Sequence, residues 1–171
     1  GFETTLISGP TNLDPIFGVN QINVNSAEEM FKAVLDHLPT DVAILSAAVG
    51  DFKIKNEEKN KIKKKENFDL KLEKNIDILN HISNHNSLRP KVVIGFAAET
   101  NDLEKHAKKK LSEKNCDWII ANDVSNPSIG FGSDYNEVSI FYKDMKYEKL
   151  PKMKKSFLAE NIVKKIISYL N

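Results

Sequence analysis

The chain has 171 residues, with 25 Lys+Arg against 24 Asp+Glu, a net charge of +1 and 29% charged residues. That length suits one domain able to bury a core, and the near-neutral total argues against a dedicated nucleic-acid binder, whose basic footprint would dominate its charge. The single cysteine, Cys116, excludes an internal disulfide. The sequence carries no signal-peptide core and no long uncharged apolar run, so we expect a cytoplasmic protein without membrane attachment.

Taken in chain order, apolar segments alternate with helical patterns. Thr4 to Ile7 reads as a strand ending in the turn Ser8-Gly9-Pro10, and Val19 to Val24 as a second strand. Asn25-Ser26 offers a helix N-cap, followed by acids at Glu28 and Glu29 where the helix dipole favours them. Ala27, Met30, Phe31, Val34 and Leu35 then share one helical face. Val42 to Ala48 is a continuous apolar strand of the kind buried in parallel sheets. From Gly50 to Lys65 the composition turns to Lys, Asn and Glu, which reads as a mobile loop. Phe68, Leu70 and Leu72 alternate with Asp69, Lys71 and Glu73, the period of a half-exposed strand.

Asp77 is placed to cap a short helix carrying Ile78, Leu79 and Ile82. Lys91 to Phe96 is the next buried strand, and Leu103 to Lys114 the helix after it, with Thr100 or Asn101 as its expected cap. Trp118 to Ala121 is a further strand, and a loop rich in Gly, Ser, Asn and Pro runs from Ser125 to Asn136. Val138 to Tyr142 and Tyr147 to Leu150 form a hairpin around Asp144-Met145. A closing amphipathic helix uses Leu158, Val163, Ile166, Ile167 and Leu170. This order implies one α/β domain over residues 1–171, a Rossmann-like, mostly parallel sheet flanked by helices. A lysine-rich loop and strand form an arm, and a hairpin plus helix close the chain. The seven glycines fall in no GxGxxG or P-loop arrangement.

Several runs could carry chemistry. At Ala47-Ala48-Val49-Gly50-Asp51, small residues at a strand's end would let the backbone approach a ligand, and Asp51 could ligate Mg²⁺. A plain strand-to-loop junction with a solvated acid is the alternative. Lysines 59, 61, 63, 64 and 65 either anchor phosphates through Lys61, form a solvated run, or bind RNA. Gly95-Phe96-Ala97-Ala98-Glu99 repeats the pattern of strand end, small residues and acid, with Phe96 able to offer a flat face to a base. Lys110 and Lys114 lie four apart on a helix and could share a face towards a ligand. His81 and His85 have the same spacing but no third ligand nearby, and read as solvated. Cys116 reads as a small core residue.

Seven runs occur in one order: Thr5 to Pro10, Ala47 to Asp51, Lys61 to Lys64, Lys74 to Leu79, Gly95 to Thr100, Ala121 to Val124 and Gly130 to Asp134. Together they closely resemble the phosphopantothenoylcysteine synthetase family, the phosphopantothenate–cysteine ligases of coenzyme A synthesis. In many bacteria this ligase is the carboxy-terminal half of a bifunctional flavoprotein. The resemblance covers nearly the whole chain.

The resemblance implies a homodimeric, CTP- and Mg²⁺-dependent ligase that joins 4′-phosphopantothenate to L-cysteine through an acyl-cytidylate, releasing pyrophosphate and then CMP. FMN enters only where a decarboxylase domain precedes. By motif position, Ala47, Ala48, Asp51, Lys61, Asn75, Ile76, Phe96, Lys110 and Lys114 form the nucleotide site, with Asp51 on the metal and Lys61 catalytic in the first step. The family usually has alanine at Gly50 and proline at Ile76. It also has a strand, a glycine-rich turn and an asparagine-bearing segment ahead of the position of Gly1, so the chain is expected to be N-terminally incomplete for full activity. Two other readings stand beside this one: a nucleotide-binding regulatory module without catalysis, and a nucleic-acid-binding domain using the lysine loop.

Overall fold

A computed structural model describes residues 2–56, 60–61, 63, 69–125 and 132–171. Two short parallel strands open it, β1 (Thr5–Ser8) and β2 (Asn20–Asn23), in register from Thr5 opposite Asn20 to Ser8 opposite Asn23. Helix α1 (Ala27–Asp36) follows at once. Ser26 Oγ accepts the Glu29 N–H at 3.1 Å, and Glu29 Oε2 reaches back to the Asn25 N–H at 2.8 Å. This reciprocal pair satisfies donors that a helix start otherwise leaves open, which is why the helix begins here.

The main sheet has five strands in the order β3 (Val42–Leu45), β6 (Val92–Glu99), β7 (Trp118–Asp123), β8 (Tyr135–Tyr142), β9 (Tyr147–Lys154). β3–β6 and β6–β7 are parallel, whereas β7–β8 and β8–β9 are antiparallel. The sheet is therefore mixed, not mostly parallel. Among the described residues no helix lies between β7 and β8, and a parallel return would need such a crossover. Pro151 sits in β9, an edge strand, where a missing N–H costs no ladder bond on the open side.

Strand alternation sends apolar residues to both faces of this sheet. On one face Val93, Ala97, Ile119, Ala121 and Phe141 pack with α2 (Ile78–Ser83) and α3 (Leu103–Glu113), and Met30, Phe31 and Val34 of α1 lean on the same cluster. On the other face Val92, Ile94, Trp118, Ile120, Val138 and Ile140 pack with Leu158, Ile162 and Ile166 of α4 (Lys155–Leu170). α4 thus buries the residues four apart from Leu158, while Val163, Ile167 and Leu170, expected on its inner face, stay 41%, 38% and 37% exposed. Gly95 sits at a close approach, where any larger residue would make the Leu79 and Ile119 side chains shift. A Cβ there would meet Leu79 Cδ2 at 2.5 Å and Ile119 Cδ1 at 2.9 Å.

Three local expectations are corrected. The stretch read as a loop from Gly50 contains β4 (Phe52–Ile54), paired antiparallel with β5 (Leu72–Lys74). Of the strand expected over Phe68–Leu72, Phe68 lies outside the described residues, Asp69–Lys71 are irregular, and the observed strand begins at Leu72. Phe52, Ile54 and Leu72 remain 57%, 43% and 57% exposed, so the ribbon is held by its ladder more than by burial, and its lysine-rich setting hid the short alternation. The N-cap position of α3 belongs to Asp102 in the left-handed region, φ 44°, without a side-chain cap bond, in place of Thr100 or Asn101. Among the described residues no helix is long and apolar enough to cross a membrane.

Candidate functional site

β3 ends at Leu45, earlier than expected, and Ser46 to Gly50 continue without regular structure. Ala47, Ala48 and Asp51 are exposed there, leaving backbone groups and a carboxylate open to a ligand. The Asn75 side chain fastens this turn, its Nδ2 donating to the Gly50 carbonyl at 2.7 Å while its backbone N–H donates to the Asp51 carbonyl at 2.9 Å. Asn75 and the exposed Ile76 lie between β5 and α2, so one residue ties the end of the ribbon to the turn after β3.

Two residues further on, Asp77 starts α2. Its Oδ1 accepts the Asn80 N–H at 3.0 Å and its Oδ2 pairs with Lys114 Nζ at 2.8 Å. Partial burial pushes the Asp77 carboxyl up, but the Lys114 hydrogen bond, the Asn80 N–H and the charges of Lys114 and Lys110 together hold it below the usual carboxylate value. Lys110 in turn lies 3.5 Å from Glu99 Oε1, and Glu99 Oε2 lies 3.2 Å from His106 Nδ1. A line of alternating groups results: His106, Glu99, Lys110, Asp77, Lys114. The two lysines that sequence spacing put on one helical face do share it, each held by a carboxylate from another element.

The expected residues are not all gathered. Phe96 packs with the cluster beneath α4, whereas Ala97 next to it faces α2 and α3, so the sheet separates the Phe96 ring from the lysines. Lys61 is exposed in an irregular segment. Lys59, Lys64, Lys65, Ile62, Phe68, Gly130 and Phe131 lie outside the described residues. His81 is exposed, as expected, and sets its ring edge-on to Phe31 at 4.8 Å. Cys116 is fully buried, with Ser83 Oγ at 3.7 Å, and burial pushes its thiol up.

A cleft of about 610 Å³ opens between the first turns of α1 and the ribbon, with Phe31, Leu35, Lys53, Asn75 and Ile76 among its lining. Its walls include Asn75, the residue that clamps the turn after β3. A shallower groove over Trp118, Tyr142 and Tyr169 shares none of the expected site residues. Among the described residues no three His, Cys, Asp or Glu side chains gather as a metal cage. A lone carboxylate such as Asp51 still fits Mg²⁺, which is commonly held by one or two carboxylates together with substrate phosphates and water.

Spacing alone left Glu99 as the acid after a strand and gave no signal for His106. What joins them is the seven-residue reach from the end of β6 to the second turn of α3, visible only once Asp102 has reversed the chain.

Comparison with known proteins adds to this geometry. Residues 1–170 match the family described as the DNA/pantothenate metabolism flavoprotein C-terminal domain. The chain is 41% identical over 169 residues to the coenzyme A biosynthesis bifunctional protein CoaBC of Bacillus subtilis (strain 168), covering 97% of the chain and 41% of that protein. It is 43% identical over 168 residues to the CoaBC protein of Borreliella burgdorferi, covering 96% of the chain and 42% of that protein. The chain thus spans about two fifths of the length of these relatives. A crystal structure of the C-terminal domain of CoaBC superposes with a TM-score of 0.79 at 36% identity, covering 98% of this chain and 74% of that one. A flavoprotein structure from Streptococcus pneumoniae, at 22% identity and TM-score 0.77 over 99% of this chain and 82% of that one, shares the fold.

Proposed function

The chain belongs to the DNA/pantothenate metabolism flavoprotein C-terminal domain family, and from that premise we propose that residues 1–171 are the phosphopantothenate–cysteine ligase domain of a longer protein. In the proposed reaction the carboxylate of 4′-phosphopantothenate attacks the α-phosphate of CTP, releasing pyrophosphate and leaving an acyl-cytidylate. The amine of L-cysteine then attacks the acyl carbon and displaces CMP.

The observation that carries this reading is the Asn75 clamp. It brings the turn with Ala47, Ala48 and Asp51 to the start of α2, where Asp77 holds Lys114. A polyanion needs such a corner: exposed backbone after a strand, a carboxylate for a metal and lysines already oriented. Attack at phosphorus needs charge neutralisation and positioning more than a protein nucleophile, and no nucleophile is assigned. Asp51 would hold Mg²⁺ together with the triphosphate, and the ion would supply charge neutralisation there. Lys61 would reach the phosphates, Lys110 and Lys114 the nucleotide, and Phe96, across the sheet, the rim of the same strand ends.

The finer architecture is proposed on similar grounds. β1 and β3 each keep one unpaired edge among the described strands, and α1 packs on β1 and also on the cluster containing Ala43 and Leu45 of β3. One more parallel strand between them would join the two sheets into the order of a doubly wound, Rossmann-like fold. We also propose a homodimer through the β4–β5 ribbon. Phe52, Ile54 and Leu72 alternate onto one exposed face of it, while Lys53 on the other face reaches Glu28 of α1 at 3.7 Å and Glu73 at 3.5 Å.

The direct test supplies the full-length protein with 4′-phosphopantothenate, L-cysteine, Mg²⁺ and each nucleoside triphosphate, and follows pyrophosphate and CMP. Release of both with CTP supports the ligase. Nucleotide binding without turnover favours a regulatory module, and RNA binding without either favours the nucleic-acid reading.

A further inference from the structure

Glu99 is the last residue of β6, opposite Asp123 of β7, and its carbonyl accepts the Val124 N–H at 2.9 Å, so its backbone is fixed by the sheet. Its side chain is 17% exposed, against 32% for Lys110 and 40% for His106, which makes it the most sheltered member of that cluster. A carboxylate so placed needs partners for both oxygens. It has them: Lys110 Nζ at 3.5 Å on Oε1 and His106 Nδ1 at 3.2 Å on Oε2. Both partners come from α3, four residues apart on one face.

Lys110 also lies within electrostatic reach of Asp77, which is already paired with Lys114. Without Glu99, the flexible Lys110 side chain would be free to turn towards Asp77, whose charge it already feels, and to compete there with Lys114. An ammonium carries three donors, so a lysine pinned by one carboxylate still presents two.

We propose that Glu99 is a positioning residue: it holds Lys110 apart from Asp77, with His106 fixing the second carboxylate oxygen, so that Lys110 and the C-cap Lys114 both face a bound nucleoside triphosphate. This rests on the reading that Lys110 contacts the nucleotide. The cost of losing Glu99 is then paid through Lys110 and not through the fold.

The test is a double-mutant cycle on binding of CTP with Mg²⁺, followed by calorimetry with E99Q, K110M and the double variant. E99Q keeps the size of the side chain and an acceptor oxygen. The expected result is an affinity loss of about tenfold for E99Q, a loss at least as large for K110M, and no further loss when E99Q is added to K110M. In pyrophosphate release by the full-length protein, E99Q is expected to raise KM for CTP while kcat stays within about twofold. If E99Q fails to fold, E99D keeps the charge but withdraws it by one methylene and carries the same expectation. Unchanged CTP binding by a folded E99Q, or equal losses in the wild-type and K110M backgrounds, would overturn the positioning role while leaving the nucleotide site standing. A wild-type chain that binds no CTP would overturn both.

Discussion

Asp77 and Lys114 close an ion pair at 2.8 Å that joins the first turn of α2 to the C-terminal cap of α3. The same carboxylate caps α2 through the Asn80 N–H, so its two oxygens serve two different elements.

Those two roles separate by substitution. Asparagine caps helices about as well as aspartate, so Asp77→Asn is expected to lose only the exposed ion pair, less than about 1 kcal/mol in urea unfolding, whereas Asp77→Ala also loses the cap, about 1–2 kcal/mol. Equal losses in the two variants would mean that the lysine pair, and not the cap, sets the stability of this junction.

The depressed Asp77 carboxyl also fixes a pH dependence. Its folded value lies below the ordinary 3.8, so its contribution is complete above that value and is lost as pH falls through the lower folded value. The stability difference between the wild-type chain and Asp77→Asn is therefore expected to shrink between about pH 5 and about pH 2. A difference that is constant across this range contradicts the assignment.

Cys116 gives a second check on packing. Burial raises its thiol, and only the thiolate is alkylated, so the native chain is expected to resist iodoacetamide near pH 8 and to react promptly in urea. Rapid labelling of the folded chain would contradict the buried position between β7 and α2.

The ribbon face offers a third prediction. Leu72→Glu places a charge among Phe52, Ile54 and Leu72 without entering the core. Sedimentation should show a dimer for the wild-type chain and a monomer of unchanged melting temperature for the variant. A monomeric wild-type chain, or an unaffected dimer, counts against the proposed interface.

Much of the fold was legible because periodicity and small residues mark it. Asp77 and Ser26 stand where their helices begin, the runs at Val92 and Trp118 are strands, and the turn at Asp144-Met145 sits inside the β8–β9 hairpin, with Met145 at φ 66°. What escaped is what tertiary pairing decides. The β4 strand shows only three alternating residues in a lysine-rich stretch, and it exists because Leu72–Lys74 returns beside it. The exposed side of α4 was misjudged because Val163 and Ile167 are as apolar as Ile162 and Ile166, and only the position of the sheet selects between the two stripes. At the site, the spacing of Lys110 and Lys114 was readable, but their separate carboxylate partners come from β6 and α2 and have no local signature.

The account stands most directly on whether the corner after β3 binds a triphosphate. Calorimetric titration of the chain with CTP and Mg²⁺, repeated with Asp51→Asn and Lys61→Gln, tests it. Saturable binding that weakens about tenfold in each variant, with unfolding curves unchanged, is the expected result. No binding of CTP by the wild-type chain, or binding that neither substitution alters, would contradict it.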